Sequence, residues 1–398
     1  MNYTQQQWKI AFTLFLIGTL VYIDKNLISI TILALGQEFD WDTSQTGIIL
    51  SLYYIGFILI TLPGGWFVDH FGYKRFIVIA LSIVVISSIL FSFGTSLWLL
   101  AIIRIGIGAG HAGYTNGSPK VISENFEGKQ RTALQSKILA TSGIGGLIAY
   151  TGGIKVIGIN WRSAYLLLAI LAVLALISLI LFVPDKKPEK KEVFLSRASI
   201  FIACRNKSVL IISIGMFFVN LVTVGLMSWL PAVLKTNFSV SNTQLGEYLT
   251  INSIVMSAAA MSAGFIIMKF FANYEKQFIA IFSTIGAISL IVFIYSTHII
   301  AAITLLFLIT VFSMFVFTAF LIVPYKIIPS VIIGSSYAAI NIGAFIGGSV
   351  SPLIIGNLIT ISGGSFKLAF IIMAVCLLLA GVSAILLQID IDVGENVN

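Results

Sequence analysis

Twelve long apolar stretches, parted by short polar breaks, constrain this chain more than any other feature. By hydropathy and helix-breaking residues they cover about 8–35, 46–68, 76–94, 98–122, 133–157, 163–183, 208–234, 246–268, 277–296, 299–325, 332–360 and 366–389. Crossing a hydrocarbon layer of ~30 Å takes ~20 helical residues, whereas a barrel strand needs only ~10 alternating ones. Inside lipid every backbone N–H and C=O must be paired within the chain, so runs of this length can span only as helices. The expected fold is therefore an all-α membrane protein of twelve transmembrane helices in two six-helix, pseudo-symmetric halves. Composition agrees: 58% of the 398 residues are hydrophobic and 10% are charged, with a mean hydropathy of +1.05, outside the range of water-soluble domains.

A formal charge of +8 and a pI near 9.4 could signal nucleic-acid binding, but the basic residues are placed by membrane side. With the N-terminus inside, the cytoplasmic loops and helix ends hold Lys74, Arg75, Lys129, Arg131, Lys186, Lys187, Lys190, Lys191, Arg197, Arg205, Lys207, Lys269, Lys276 and Lys326. The other face has Lys155, Arg162, Lys235 and Lys367. Both termini are thus expected in the cytoplasm, in a multi-pass protein of the cell membrane whose partner is the lipid bilayer and not nucleic acid. The first span lacks a basic leader and a cleavage site, so Met1–Gln7 reads as a short cytoplasmic tail. Cys204 and Cys376 have no ligand spacing around them, and neither a disulfide nor a metal site is expected.

A polar, charge-dense run, Asp185-Lys186-Lys187-Pro188-Glu189-Lys190-Lys191-Glu192, divides the chain. This gives an N-terminal bundle (1–184), a cytoplasmic linker (185–207) and a C-terminal bundle (208–398). The halves echo one another at about two hundred residues. Gln45-Thr46-Gly47 parallels Thr243-Gln244-Leu245-Gly246, Gly145-Gly146 parallels Gly347-Gly348, and Trp161-Arg162-Ser163-Ala164-Tyr165 parallels Phe366-Lys367-Leu368-Ala369-Phe370. Six spans separate the copies, so both halves enter from the same side and a substrate site is expected between them, reached by rocking of one half against the other.

Adjacent charges, Asp24 and Lys25, interrupt the first span. A charge at the bilayer centre costs ~3 kcal/mol on insertion scales, so such residues ordinarily face a polar cavity and mark a pathway. Arg104 sits inside the outer end of span four, and His111 lies seven residues, nearly two turns, deeper on the same face. Span one runs the other way, which brings Asp24 and Lys25 to comparable depth. Neighbours at i and i+1 do not face each other, so Asp24 is expected to pair with Arg104, either as a structural ion pair or as part of a working site. An aspartate that gains a proton when its cationic partner engages an anion is a route to proton-coupled anion transport.

After span two comes Gly64-Gly65-Trp66-Phe67-Val68-Asp69-His70-Phe71-Gly72-Tyr73-Lys74-Arg75, which reads as a short loop with glycines for a tight reversal and an acid followed by two bases. This stretch resembles the signature of the major facilitator superfamily. The equivalent second-half stretch, Gly264 to Lys276, reads as having lost the acid. Further matches are Tyr22-Ile23-Asp24-Lys25, Leu62-Pro63-Gly64-Gly65-Trp66, Arg104 with Gly106 and Gly108, Trp161-Arg162, Trp229-Leu230-Pro231, and the series Pro329, Gly334, Asn341, Gly343, Gly347, Gly348, Pro352, Gly356. Together they resemble the anion:cation symporter branch, carriers of sugar acids and other organic anions. The resemblance implies the major facilitator fold, with Gly65, Asp69, Gly72, Lys74, Arg75 and Arg131 as a conformational gate. It implies protonation at Asp24, a substrate carboxylate on Lys25 aided by Arg104, and substrate hydroxyls on Asn341. Tyr54 is a further substrate-binding candidate and His111 a second proton-coupling one.

Three residues depart from the family pattern. Its sugar-acid carriers commonly have an acid where His111 stands, an arginine where Lys25 stands and a tyrosine where Phe57 stands. His111 therefore reads either as a proton carrier or as a buried neutral histidine, and the ligand is expected to be smaller or less hydroxylated than a hexonate. The remaining in-span polar residues, Tyr53, Gln135, Lys137, Asn220, Asn252 and Tyr325, read as helix–helix hydrogen bonds, and Glu247 as interfacial. The leading function is proton-coupled uptake of a small organic anion by a monomer, with no cofactor beyond the proton gradient or, in its place, sodium. The alternatives are a proton-driven exporter of drugs or amphiphilic metabolites and a non-transporting sensor. An enzyme is not expected, since no nucleophile elbow, phosphate loop or His/Cys cluster is present.

Overall fold

The computed structural model describes residues 3–127, 130–131, 134, 137–138, 140–185, 205–328 and 333–387. Gln135, Cys204, Pro329, most of the linker and Lys129 lie outside the described residues. Twelve helices are long and apolar enough to cross a membrane: α1 Gln5–Phe39, α2 Thr43–Phe71, α3 Tyr73–Ser92, α4 Leu97–Asn125, α5 Thr141–Ile159, α6 Trp161–Phe182, α7 Lys207–Phe238, α8 Asn242–Phe270, α9 Glu275–Ile294, α10 Ile299–Ile322, α11 Ile333–Ile361 and α12 Lys367–Ile385. Each overlaps one of the twelve apolar runs, and no strand occurs among the described residues.

Capping explains why several helices outrun their apolar stretch. Thr4 caps α1 reciprocally with Gln7 (3.2 and 3.0 Å), and Asp42 caps α2 with Gln45 (2.8 and 3.0 Å). Ser241 and Gln244 repeat the same device at α8 (3.0 and 3.2 Å), so the Gln45/Gln244 echo in the sequence is a shared helix start. The glycines just inside these starts match as well. A Cβ on Gly47 would meet the Pro352 carbonyl on α11, and one on Gly246 the Tyr150 carbonyl on α5.

The expected loop after span two is not a loop. Helix α2 continues through Pro63 to Phe71, although the proline supplies no N–H to the Leu59 carbonyl; Asn116 on α4 donates to the adjacent Ile60 carbonyl (3.3 Å) and ties the two helices together beside the break. The reversal falls on Gly72 alone, which ends α2 and starts α3 with φ +83° while its N–H bonds the Val68 carbonyl. Gly72→Ala is expected to cost about 1–3 kcal/mol, because φ +83° with ψ +144° lies close to a region open essentially to glycine alone, read as a lower unfolding midpoint in detergent. An unchanged midpoint would show that the junction relaxes.

The described residues group into two compact units. The first holds α1–α6 with Val224–Ser257 and Ser349–Ala369; the second holds the rest of α7–α12. In the first, α1 is enclosed almost all round, as a helix apolar on every face should be. Glu38 at its end accepts from Trp161 Nε1 (2.6 Å) and from Arg162 (2.8 Å), fastening α1 to the start of α6. In the second unit, a Cβ on Gly343 would meet Ser213 and one on Gly347 would meet Phe217, so α11 lies hard against α7. There the position matching Asp69 is Lys269, so the acid is missing from its place in Gly264–Lys276, and the acid of this stretch, Glu275, comes six residues later. Glu275 is buried at the start of α9 and ion-paired to Lys326, just after Asn273, whose φ of +69° repeats the reversal at Gly72.

Candidate functional site

Helix α4 carries the charge, and small residues let its neighbours reach it. A Cβ on Gly108 would run into the Tyr53 carbonyl, and one on Gly56 into the Ile105 carbonyl, so α2 and α4 touch backbone to backbone. That approach lays Tyr53 directly on Arg104 and His111. The Arg104 guanidinium carbon lies 4.7 Å from the Tyr53 ring centroid, and the Tyr53 hydroxyl and His111 Nδ1 are hydrogen-bonded at 3.0 Å.

At the centre, Arg104 Nη1 donates to both Asp24 oxygens at 2.9 Å, with Asp24 fully buried and Arg104 1% exposed. The expected Asp24–Arg104 pair is thus present. One nitrogen makes both bonds, and Arg104 Nε, equally buried, has no partner. The Asp24 carboxylate lies 3.9 Å from His111 Nδ1, too far to bond it, and His111 Nε2 is buried and unpartnered. Removing a partner from a buried polar atom costs about 1–3 kcal/mol. Tyr53→Phe, which keeps the ring and orphans His111 Nδ1, should lower unfolding stability by that much; an unchanged stability would mean the bond contributes nothing.

Lys25 sits beside this pair without a carboxylate of its own. Its ammonium is 5.1 Å from the Phe57 ring, 5.5 Å from Tyr22 and 5.9 Å from Tyr53, a cage of aromatic faces. A narrow cavity bordered by Lys25, Ser29, Tyr53, Tyr54, Arg104 and Ser228 offers only about 10 Å³, room for a single water. A larger cavity of about 950 Å³ lies at the far end of α1, around Asp40, Trp41, Lys235 and Asn242. Its charged lining is one acid and one base, so it carries no net attraction for an anion, and the buried pair is not in it.

Of the sequence candidates, Asp24, Lys25, Arg104, His111 and Tyr54 come together in the first unit. Asn341 is half-buried on α11 in the second unit. Of the residues expected to form a gate, Lys74 donates to the Ile180 carbonyl (2.9 Å), Arg75 faces Asp185 at 3.7 Å and Arg131 donates to the Phe126 carbonyl (2.5 Å). Gly65 and Asp69 lie on α2, and their side chains lie outside the description. Tyr53, read from sequence as one of several packing residues, proves central. Asn26 was not anticipated: it is buried and accepts from the Tyr150 hydroxyl (2.7 Å), which comes from a π-helical turn, Ala149–Gly153, inside α5. The sequence signal for that turn is the adjacent Gly152-Gly153 pair.

Comparison with known proteins bears on the fold and the family. The chain is 25% identical over 396 residues to the cis,cis-muconate transport protein of Acinetobacter baylyi, covering 94% of this chain and 93% of the relative. It is 26% identical over 207 residues to a "probable galactarate/D-glucarate transporter" of Bacillus subtilis, but that match covers 48% of this chain and only 44% of the relative. Among solved structures, a bacterial homologue of the human lysosomal transporter Spinster, in an inward-facing and unoccupied conformation, shares the fold. Its TM-score is 0.83 at 17% identity, over 96% of both chains. A D-xylose–proton symporter shares it at a TM-score of 0.73 and 20% identity, over 95% of this chain and 97% of that one. Residues 14–352 match the Major Facilitator Superfamily, so the chain belongs to that superfamily of membrane transporters.

Proposed function

We propose that this protein imports a small organic anion together with protons by alternating access, as a monomer in the cell membrane with both termini cytoplasmic. The six-helix halves 1–184 and 208–398, joined through 185–207, rock to expose the site to one side and then the other. The observation that carries the reading is the buried charge imbalance: Asp24 neutralises Arg104 and leaves Lys25 held only by aromatic faces. A half-buried cation whose neighbouring carboxylate is already bonded to another cation is only partly compensated, and an incoming carboxylate completes the compensation. Relatives named as muconate, hexuronate and galactarate/D-glucarate transporters support the same class of cargo.

The cycle follows from that imbalance. An anion arriving at Lys25 and at the unpartnered Nε of Arg104 competes with Asp24 for the guanidinium. A carboxylate deprived of its cation in a buried site takes up a proton, so substrate and proton load together. Because the cavity has room for about one water, loading requires the helices around it to part.

The test is purified protein in liposomes loaded with a pH dye, challenged in turn with monocarboxylates, sugar acids, aromatic acids and phosphate. Lumenal acidification with a carboxylate class is the expected result. Silence with all four in sodium-free buffer, followed by uptake when sodium is added, would replace the proton by sodium. Loss of preloaded amphiphile driven by an inward proton gradient would replace uptake by export.

A further inference from the structure

The site's own charges fix how many protons a transported anion can bring. This rests on the reading of proton-coupled uptake and deepens it. Among the described residues, the titratable groups facing Asp24 and Arg104 are Lys25 on α1, Tyr53 and Tyr54 on α2, His111 on α4 and Tyr165 on α6, with Tyr22 on α1 behind them against Lys25 and Tyr53. Five of these bear no charge in the empty site if His111 is neutral, and its surroundings make it so. Imidazolium at His111 would add a third positive charge beside Arg104 and Lys25, and its Nε2–H would be buried without an acceptor. The Tyr53 hydroxyl satisfies Nδ1 in either tautomer, so the neutral ring loses nothing there. Among the described side chains of the first unit, Asp24 is the one buried carboxyl.

The empty site therefore holds two cations and one carboxylate, one positive charge in excess. When Asp24 takes a proton and a monoanion docks, two cations again face one carboxylate. We propose that each cycle carries one monoanion with one proton, Asp24 being its carrier, so that loaded and empty sites bear the same net charge and transport is electroneutral. The proton goes from the outer solution to an Asp24 oxygen as Arg104 releases it. It returns to the inner solution when the anion leaves and the Asp24–Arg104 bonds reform. A dianion in the same step would leave the loaded site one charge lower than the empty one, so the arrangement favours singly charged substrates.

Labelled D-glucuronate, a monoanion, and D-glucarate, a dianion, would be offered to proteoliposomes in sodium-free buffer with the membrane potential clamped by potassium and valinomycin. For D-glucuronate a pH gradient of one unit should hold about tenfold accumulation, since one proton then balances one anion, and an inside-negative potential should leave the flux unchanged. About hundredfold accumulation, or flux that follows the potential, would overturn the stoichiometry while leaving proton coupling intact. Accumulation of D-glucarate in preference to D-glucuronate would overturn the monoanion assignment. If the pH gradient concentrates neither anion, the proposed function falls and this inference with it. His111→Glu adds a second acid at the site and should raise the accumulation toward about hundredfold and make uptake respond to potential. Retention of one proton per anion in a folded, active His111→Glu protein would also count against the charge argument.

Discussion

Asp24→Asn should abolish accumulation of substrate against its gradient while leaving exchange of internal for external substrate measurable. The amide keeps the shape of the carboxyl and one acceptor for Arg104 Nη1, which now bonds both oxygens at 2.9 Å. It cannot take up or release a proton, so the step that ties the empty carrier's return to proton release is gone. Exchange needs only the loaded carrier to reorient, and in the proposed cycle the loaded site has a neutral Asp24 that asparagine imitates. Uptake by the native protein should rise as the outside is made more acidic than the inside, and in the variant this dependence should be flat. The substitution also strips a buried guanidinium of its counter-ion, a loss of about 3–5 kcal/mol when one partner of a buried pair is removed. Proteoliposome uptake should therefore be normalised to folded protein. A folded Asp24→Asn protein that still concentrates substrate under a pH gradient would show Asp24 to be a structural ion pair.

The sequence-level reading succeeded where a single physical rule governs. Apolar length fixes a spanning helix, because lipid offers the backbone no partners, and all twelve runs became helices. The Asp24–Arg104 pair was legible for a similar reason: charges at one depth in adjacent spans have few ways to be satisfied. Tyr53 was not legible in the same way. Its place depends on α2 and α4 meeting backbone to backbone at Gly56 and Gly108, and glycines on one helix do not name the partner they admit. The stretch from Gly64 to Arg75 read as a loop because its glycines suit a tight reversal, yet α2 runs on to Phe71 and the reversal falls on Gly72 alone. The limit that hid Tyr53 also hid the Tyr150–Asn26 bond, made between helices more than a hundred residues apart.

Lys25→Ala separates binding from stability with opposite signs. Lys25 touches three aromatic rings and no carboxylate, so in the empty carrier it is a half-buried cation whose desolvation is only partly offset. Removing it should leave the unfolding midpoint unchanged or higher, since residues held for function are often the ones a fold would be more stable without. Substrate should bind far less well. Without Lys25 the site is an Asp24–Arg104 pair of zero net charge, and a charge-assisted contact of about 1.5–3 kcal/mol is lost, which raises KM by ~10–100-fold. Lys25→Arg should recover part of that loss, because the charge returns, but the flat fork must fit between Phe57, Tyr22 and Tyr53, where a compact ammonium now sits. A Lys25→Ala protein with a lowered midpoint and an unchanged KM would make Lys25 a packing residue and remove the counter-ion from the proposed cycle. A raised KM at full stability would locate the substrate carboxylate at the aromatic cage, and would explain why a phenylalanine at position 57 serves here: its face holds the ammonium in place until an anion draws it away.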